Sequence, residues 1–302
     1  MKKLAVILYI TIISISTASA NEVWNETDWS NLNWDSTDLV DPEIAPGELV
    51  LQTDPNHFVL AFDASEYSGI WDLAVWQDNL YLAAGPNPPM MSDGGDILVY
   101  DYQANSCSVD YQVFEQGIVV LKVHDGVIYS PGVDSLGSHN WGNIYLNDGS
   151  GWVRKETIPY AVHVFDLFFH EGKVWVTTGR GYPDNAGTLF SSSDMGDTWV
   201  EEFGLYSEPP NFNFRRIYGA TSYGGSIIMQ PDFLQPEGSV YLEMQPDGTV
   251  LEHNISTHSD GISGFQEFNG QLWCRQRYAL YSFDGESFTL HDLPVGTPSY
   301  AS

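Results

Sequence analysis

Basic residues are scarce in this chain: 11 Lys and Arg stand against 40 Asp and Glu over 302 residues, a formal net charge of −29. So acidic a surface argues against nucleic acid and anionic membrane as partners and favours solubility in a salty medium, where screening makes its self-repulsion tolerable. Cysteine is nearly absent. Cys107 and Cys274 give one disulfide at most, too few for a disulfide framework or a zinc set. The fold must therefore rest on apolar packing, for which 10 Trp, 17 Tyr and 15 Phe are suited. Long hydrophobic runs are missing after the first twenty residues, and so is helical periodicity. The chemical motifs G-x-S-x-G and H-E-x-x-H are absent, as is any Gly-rich phosphate loop.

The N-terminus has its own grammar. Lys2 and Lys3 precede an apolar stretch from Leu4 to Ile15, and Ala18-Ser19-Ala20 fits a small-x-small cleavage site. The stretch is shorter than the ~20 residues a membrane span needs. Residues 1–20 are expected to be a bacterial-type signal peptide, with the product secreted or periplasmic and without a membrane span. Residues 21–55 form an acidic arm without a basic residue, with Trp24, Trp29 and Trp34 at five-residue intervals that fit neither a helical nor a strand face. Residues 56–302 carry the main domain, which is expected to be a monomer.

That domain repeats. An apolar strand, a tight turn and a second strand recur as WDLAVWQDNLYLAAG, VVLKVHDGVIYSPG, FDLFFHEGKVWVTTG, IYGATSYGGSIIMQP and ISGFQEFNGQLWCRQ. Their turns are placed at Asp78-Asn79, Asp125-Gly126, Glu171-Gly172, Gly224-Gly225 and Asn269-Gly270. Such pairs supply the positive φ that two-residue hairpins require. A third and a fourth strand follow each hairpin, and the unit returns every 45 to 53 residues. Four strands per repeat at this period predict an all-β propeller of five four-stranded blades. The extra strand read at residues 56–64 leaves six blades as the alternative.

One turn is more specific. Ser192-Ser193-Asp194-Met195-Gly196-Asp197-Thr198-Trp199 resembles the Asp-box, S-x-D-x-G-x-T-W, of the sialidase-like propeller superfamily. Asp148-Gly149-Ser150-Gly151-Trp152 and Asp284-Gly285-Glu286-Ser287-Phe288 echo it at equivalent positions. The resemblance implies a structural role for Ser192, Asp194, Gly196, Thr198 and Trp199, on the face away from any ligand. It also implies three arginines for a sugar carboxylate and an F/Y-R-I-P motif. Phe214-Arg215-Arg216-Ile217-Tyr218 lacks the Pro and lies in the fourth repeat, so the sialidase set is incomplete.

In a propeller, ligands gather over the central channel, where loops between second and third strands meet those leading into inner strands. These loops offer Asp96, Asp134, His139, Trp141, His163, Asp166, Arg180, Arg216, Asp260, Arg275 and Arg277 as a rim of carboxylates, cations and aromatics. Such a rim suits carbohydrate or an extracellular protein. The leading expectation is a non-enzymatic binding scaffold; the alternative is a glycoside hydrolase or lyase using a pair of rim carboxylates. No cofactor or metal is expected. Asp93-Gly94-Gly95-Asp96 and Asn147-Asp148-Gly149 offer oxygens to Ca²⁺, without the spacing of a dedicated loop.

Overall fold

The computed structural model describes residues 69–85, 94–101, 104, 106–137, 139–181, 185–206, 215–232, 239–256, 263–276, 279–285 and 287–291. The expected signal peptide at 1–20, the expected arm at 21–55, the strand read at 56–64, and Asp93, Asp260 and Arg277 lie outside these residues.

The first blade is β1 (Gly69–Trp76), β2 (Asn79–Gly85), β3 (Asp96–Asp101) and β4 (Ser106–Gln112), paired in that order. A short β5 (Glu115–Gly117) leads to the second, built from β6 (Lys122–His124) and β7 (Val127–Pro131), then, after β8 (Val133–Ser135), from β9 (Trp141–Asn147) and β10 (Trp152–Pro159). The third is β11 (Ala161–His170), β12 (Lys173–Arg180), β13 (Gly187–Ser192) and β14 (Val200–Leu205). The fourth is β15 (Ile217–Tyr223), β16 (Ser226–Pro231), β17 (Ser239–Met244) and β18 (Val250–Ser256). The fifth is β19 (Ser263–Phe268), β20 (Gln271–Gln276), β21 (Ala279–Phe283) and β22 (Phe288–His291). The fold is thus an all-β propeller of five four-stranded blades, not six, all pairs antiparallel.

Burial follows from blade stacking. β2, β12 and β16 are buried almost throughout, because each sheet face meets a neighbouring blade, and their sequences are accordingly near-continuous apolar runs. The outermost strands face solvent and read polar: SCSVDYQ in β4 and VEEFGL in β14. Among the described residues the core is five apolar clusters, four between blades and one on the first blade, instead of one centre. Tyr81 and Ile97 meet Ile128 and Tyr145; Ile144 and Ile158 meet Leu167 and Val176; Leu189 meets Ile217 and Met229; Ile228 meets Leu272. Each such fully buried side chain contributes about 1.5–3 kcal/mol.

Two polar devices join the blades. Asp72 Oδ1 accepts the N–H of Leu73 and its Oδ2 that of Leu121 in the next blade, both at 2.8 Å. Asp166 repeats this with Leu167 (2.8 Å) and Ala220 (3.2 Å). A bulge just before each Asp sets the geometry. Burial pushes both carboxyls up, while the Lys122 charge pulls them down. At the hairpin ends, Trp76 Nε1 donates to Gly126 O (2.8 Å) and Tyr223 Oη to Gly270 O (2.7 Å), each reaching the turn of the following blade.

The hairpin turns correct one expectation. In the first blade Trp76 pairs with Asn79, so the loop is Gln77-Asp78, one residue earlier than the sequence suggested. Both residues take positive φ, 47° and 61°, and Asn79 Nδ2 donates back to Gln77 O at 3.1 Å. The other four turns hold the expected pairs.

The turn at residues 192–199 is cross-braced by its own side chains. Asp194 accepts from Ser192 Oγ (2.7 Å), Thr198 N (2.9 Å) and Thr198 Oγ1 (2.6 Å), which holds its carboxyl well below the usual range. Gly196 has φ +90°, and a Cβ there would lie 2.4 Å from Ile144 Cδ1 of the preceding blade. Trp199 Nε1 donates to Thr157 Oγ1 (2.9 Å), which in turn donates to Gly196 O (2.6 Å). The echo at Trp152 reaches Asp110 of the first blade at 2.6 Å. These residues fasten one blade to the previous one.

Cys107 is half-buried and Cys274 buried, and both are free thiols. No helix among the described residues is long and apolar enough to cross a membrane.

Candidate functional site

Three of the sequence-predicted rim residues meet. Asp134 lies on β8, which joins β5 to the start of β11 and enlarges the third sheet to six strands. The tie is made by Val133 opposite both Gly117 and His163, and by Val164 N donating to Gly132 O at 3.1 Å. Asp134 takes φ +59°, a conformation L-residues avoid and which locates strain at this loop. β11 is bulged on both sides of His163, which re-aims its side chain at the rim. Arg216 precedes β15 and is held by Asp232 N donating to its carbonyl at 2.9 Å. Gly187 makes its approach feasible: a Cβ there would stand 2.6 Å from Arg216 C and 2.8 Å from its Cα.

His163 Nδ1 lies 2.6 Å from Asp134 Oδ1, close though too bent for a straight hydrogen bond. On its other side, Arg216 Nη2 stands 3.4 Å from His163 Nε2. Guanidinium only donates, so Nε2 is the accepting nitrogen and the ring proton belongs on Nδ1, towards Asp134. Arg216 Nη1 donates to Tyr218 Oη at 3.3 Å. Phe165 stacks on His163 (centroids 5.1 Å apart) and leans on Tyr218 (4.8 Å). Among the described residues Arg216 has no carboxylate within 4 Å, whereas its neighbour Arg215 lies 3.4 Å from Asp232 Oδ1. Asp232 is buried, with its Oδ2 unpartnered, and burial pushes its carboxyl up.

Beneath β8 lies a second acidic group that sequence reasoning missed. Glu115 is only 1% exposed. Its Oε1 accepts from Asn143 Nδ2 and from Tyr145 Oη (3.3 Å), while Oε2 has no partner. Gly132 packs on this carboxyl so closely that a Cβ would stand 2.6 Å from its Cδ. Burial raises the Glu115 carboxyl from an ordinary 4.5 to about 7, with Asn143, Arg154 and Tyr145 pulling down and Asp134 adding to the rise. Arg154 donates to Asn143 Oδ1 (3.1 Å) and Glu156 Oε2 (2.6 Å), under the Phe114 ring. In sequence Glu115 follows the polar fourth strand of the first repeat and reads as solvated; the glycine at 132 is the one signal of a close approach.

The other expected rim residues part company. His139 Nε2 stands 3.2 Å from Ser135 O, and Trp141, 46% exposed, pairs with Pro159. Both belong to the second blade's loops beside β8. Asp166 is taken up by the inter-blade clasp. Arg180 is buried, 3.0 Å from Glu201 Oε2 and over the Tyr160 ring, so it serves packing between blades. Asp96 opens β3 in the first blade, and Arg275 is exposed on β20 in the fifth. No group of three or more His, Cys, Asp or Glu fit to hold a metal ion occurs among the described residues.

No protein-family model matches the chain, and no curated protein matches it in sequence. Solved structures do match. A catalytically inactive variant of virginiamycin B lyase from Staphylococcus aureus with quinupristin aligns at TM-score 0.52 and 15% identity, over 76% of this chain and 71% of that one. A streptogramin B lyase aligns at 0.52 and 13%, over 77% and 71%. The extracellular domain of a hybrid two-component system, BT4673 from B. thetaiotaomicron, aligns at 0.51 and 12%, over 74% of this chain and 28% of that one. These likenesses correct the resemblance to the Asp-box, sialidase-like superfamily. The physical reason is that S-x-D-x-G-x-T-W encodes a turn, and turn chemistry serves any propeller hairpin that needs it. At such identity the likeness shows the propeller fold and leaves the chemistry to the site.

Proposed function

We propose that this chain is an exported propeller that recognises a carboxylate-bearing ligand, of acidic-carbohydrate class, at the Asp134–His163–Arg216 centre. The observation that carries the reading is Arg216: a half-buried guanidinium with no carboxylate within 4 Å among the described residues, feeling only the more distant charge of Asp232, between the aromatic rings of Phe165 and Tyr218. A planar five-donor cation of this kind matches a carboxylate bidentately. The flanking rings offer flat apolar faces to a sugar. Export is supported by the basic, apolar and small-x-small order of residues 1–20.

Binding of polygalacturonate, hyaluronan and alginate, against neutral dextran, tests this reading. Wild type should retain at least one acidic polymer and ignore dextran, and Arg216→Ala should weaken that binding about 10- to 100-fold, the worth of a charge-assisted pair. Equal binding by the variant would end the proposal. A second reading, a lyase acting at the same centre, is favoured by the His163–Asp134 contact and by the fold shared with virginiamycin B lyase, whose inactive form carries a single histidine substitution.

A further inference from the structure

We infer that the His163–Arg216–Tyr218 centre catalyses β-elimination on a 4-O-linked uronate, with Asp134 as the positioning residue. The inference rests on the recognition reading above and adds an activity to it. Elimination next to a carboxylate has three requirements: a cation to neutralise the carboxylate, a base for the α-proton, and an acid for the departing oxygen. The three groups stand in one hydrogen-bonded series, His163 Nε2 to Arg216 Nη2 at 3.4 Å and Arg216 Nη1 to Tyr218 Oη at 3.3 Å. The arginine sits between base and acid, so a carboxylate drawn to it would place its α-carbon within reach of both.

The tautomer fits the task. With the ring proton on Nδ1 facing Asp134, the basic lone pair is on Nε2, where Arg216 now holds it. Pairing of Arg216 with the substrate carboxylate withdraws its donor from Nε2 and frees the base in the same event. His163 Nε2 then takes the proton from C5, and the C5–H electrons form the C4=C5 double bond. The C4–O4 bond breaks with its electrons on O4, which takes the proton of Tyr218 Oη. Tyr218 regains a proton from the His163 imidazolium by way of water, so the centre returns to its starting state. No oxidant, reductant or co-reactant is needed. Asp134 holds the imidazole and stabilises its cationic form without itself giving up or taking a proton. The site is reachable, since His163 keeps 17% and Asp134 21% of their side chains exposed.

The test uses the exported full chain with polygalacturonate, hyaluronan and alginate, following the ultraviolet absorbance of the conjugated unsaturated uronate and recording polymer binding in parallel. At least one polymer should yield unsaturated ends. His163→Ala should slow this by at least about 100-fold, the lower end for a general base, a loss read in kcat and larger than any change in polymer affinity. His163→Gln serves if the alanine variant fails to fold. Asp134→Asn should displace the pH profile of kcat while leaving KM near its wild-type value, which a merely structural aspartate would not do. Binding without unsaturated product from any polymer overturns this inference and leaves the recognition reading standing. Full turnover by both His163 variants also overturns it. Absence of binding to all three polymers overturns the recognition reading itself.

Discussion

Replacing Glu115 by glutamine isolates one buried carboxyl, because the amide keeps the shape and the acceptor that Asn143 and Tyr145 address. Burial raises the Glu115 carboxyl from 4.5 to about 7 in the folded protein. Since the folded value lies above the unfolded one, the folded state binds the proton more tightly. The resulting stability is fully present below pH 4.5 and is lost as pH rises through about 7. At about 1.4 kcal/mol per pH unit, a span from 4.5 to 7 amounts to about 3 kcal/mol. Glutamine cannot ionise, so E115Q should match wild type near pH 4 and exceed it by about 3 kcal/mol near pH 8.

Differential scanning calorimetry of both proteins from pH 4 to 8.5 reads this directly. With about 2–4 °C per kcal/mol for a domain of 150–250 residues, the two Tm curves should separate by about 6–12 °C, mostly between pH 5 and 7. Asp72, Asp166 and Asp232 also have raised carboxyls and tilt both curves alike, so the difference is the informative quantity. A separation that stays constant across this range would refute the assignment of a buried, proton-holding Glu115.

Asp78→Gly should raise stability by about 0.5–1 kcal/mol in urea unfolding, because Asp78 holds φ 61° where the other four turns carry glycine. Gly187→Ala should cost about 1–3 kcal/mol and weaken acidic-polymer binding, since its Cβ would strike the Arg216 backbone; retained binding would show that Arg216 is placed by something else. Asp166→Asn replaces one of two accepting oxygens with a donor facing an N–H, and should cost about 1.5–3 kcal/mol of thermal stability. Cys274 should resist thiol reagents in the native protein, as burial pushes its thiol up to about 12, while the half-buried Cys107 should react faster in a timed alkylation read by mass spectrometry.

The contrast between what the chain discloses and what it conceals has a physical origin. Blade strands were legible because each carries a local signature: a Gly-ended turn, an apolar run buried on both faces, a polar outermost strand. The one misplaced turn, Gln77-Asp78, is the one without glycine, where side-chain identity no longer marks the positive φ. Asp134, His163 and Arg216 could each be named as candidates in the sequence, but their meeting could not be read there. It depends on β8, a three-residue strand that pairs outside its own blade and leaves no period in the sequence. The same blindness hid Glu115 and misread Asp166. A carboxylate that clasps the next blade, one that lies buried beneath a loop, and one that faces solvent are the same letter. What separates them is the backbone that arrives from elsewhere: Ala220 for Asp166, Gly132 for Glu115. In a propeller, adjacent blades supply that backbone, so a search for function in such sequences gains most from the short segments that cross between repeats. Here those segments, residues 113–117 and 131–137, break the repeat and deliver both Asp134 and Glu115 to one place.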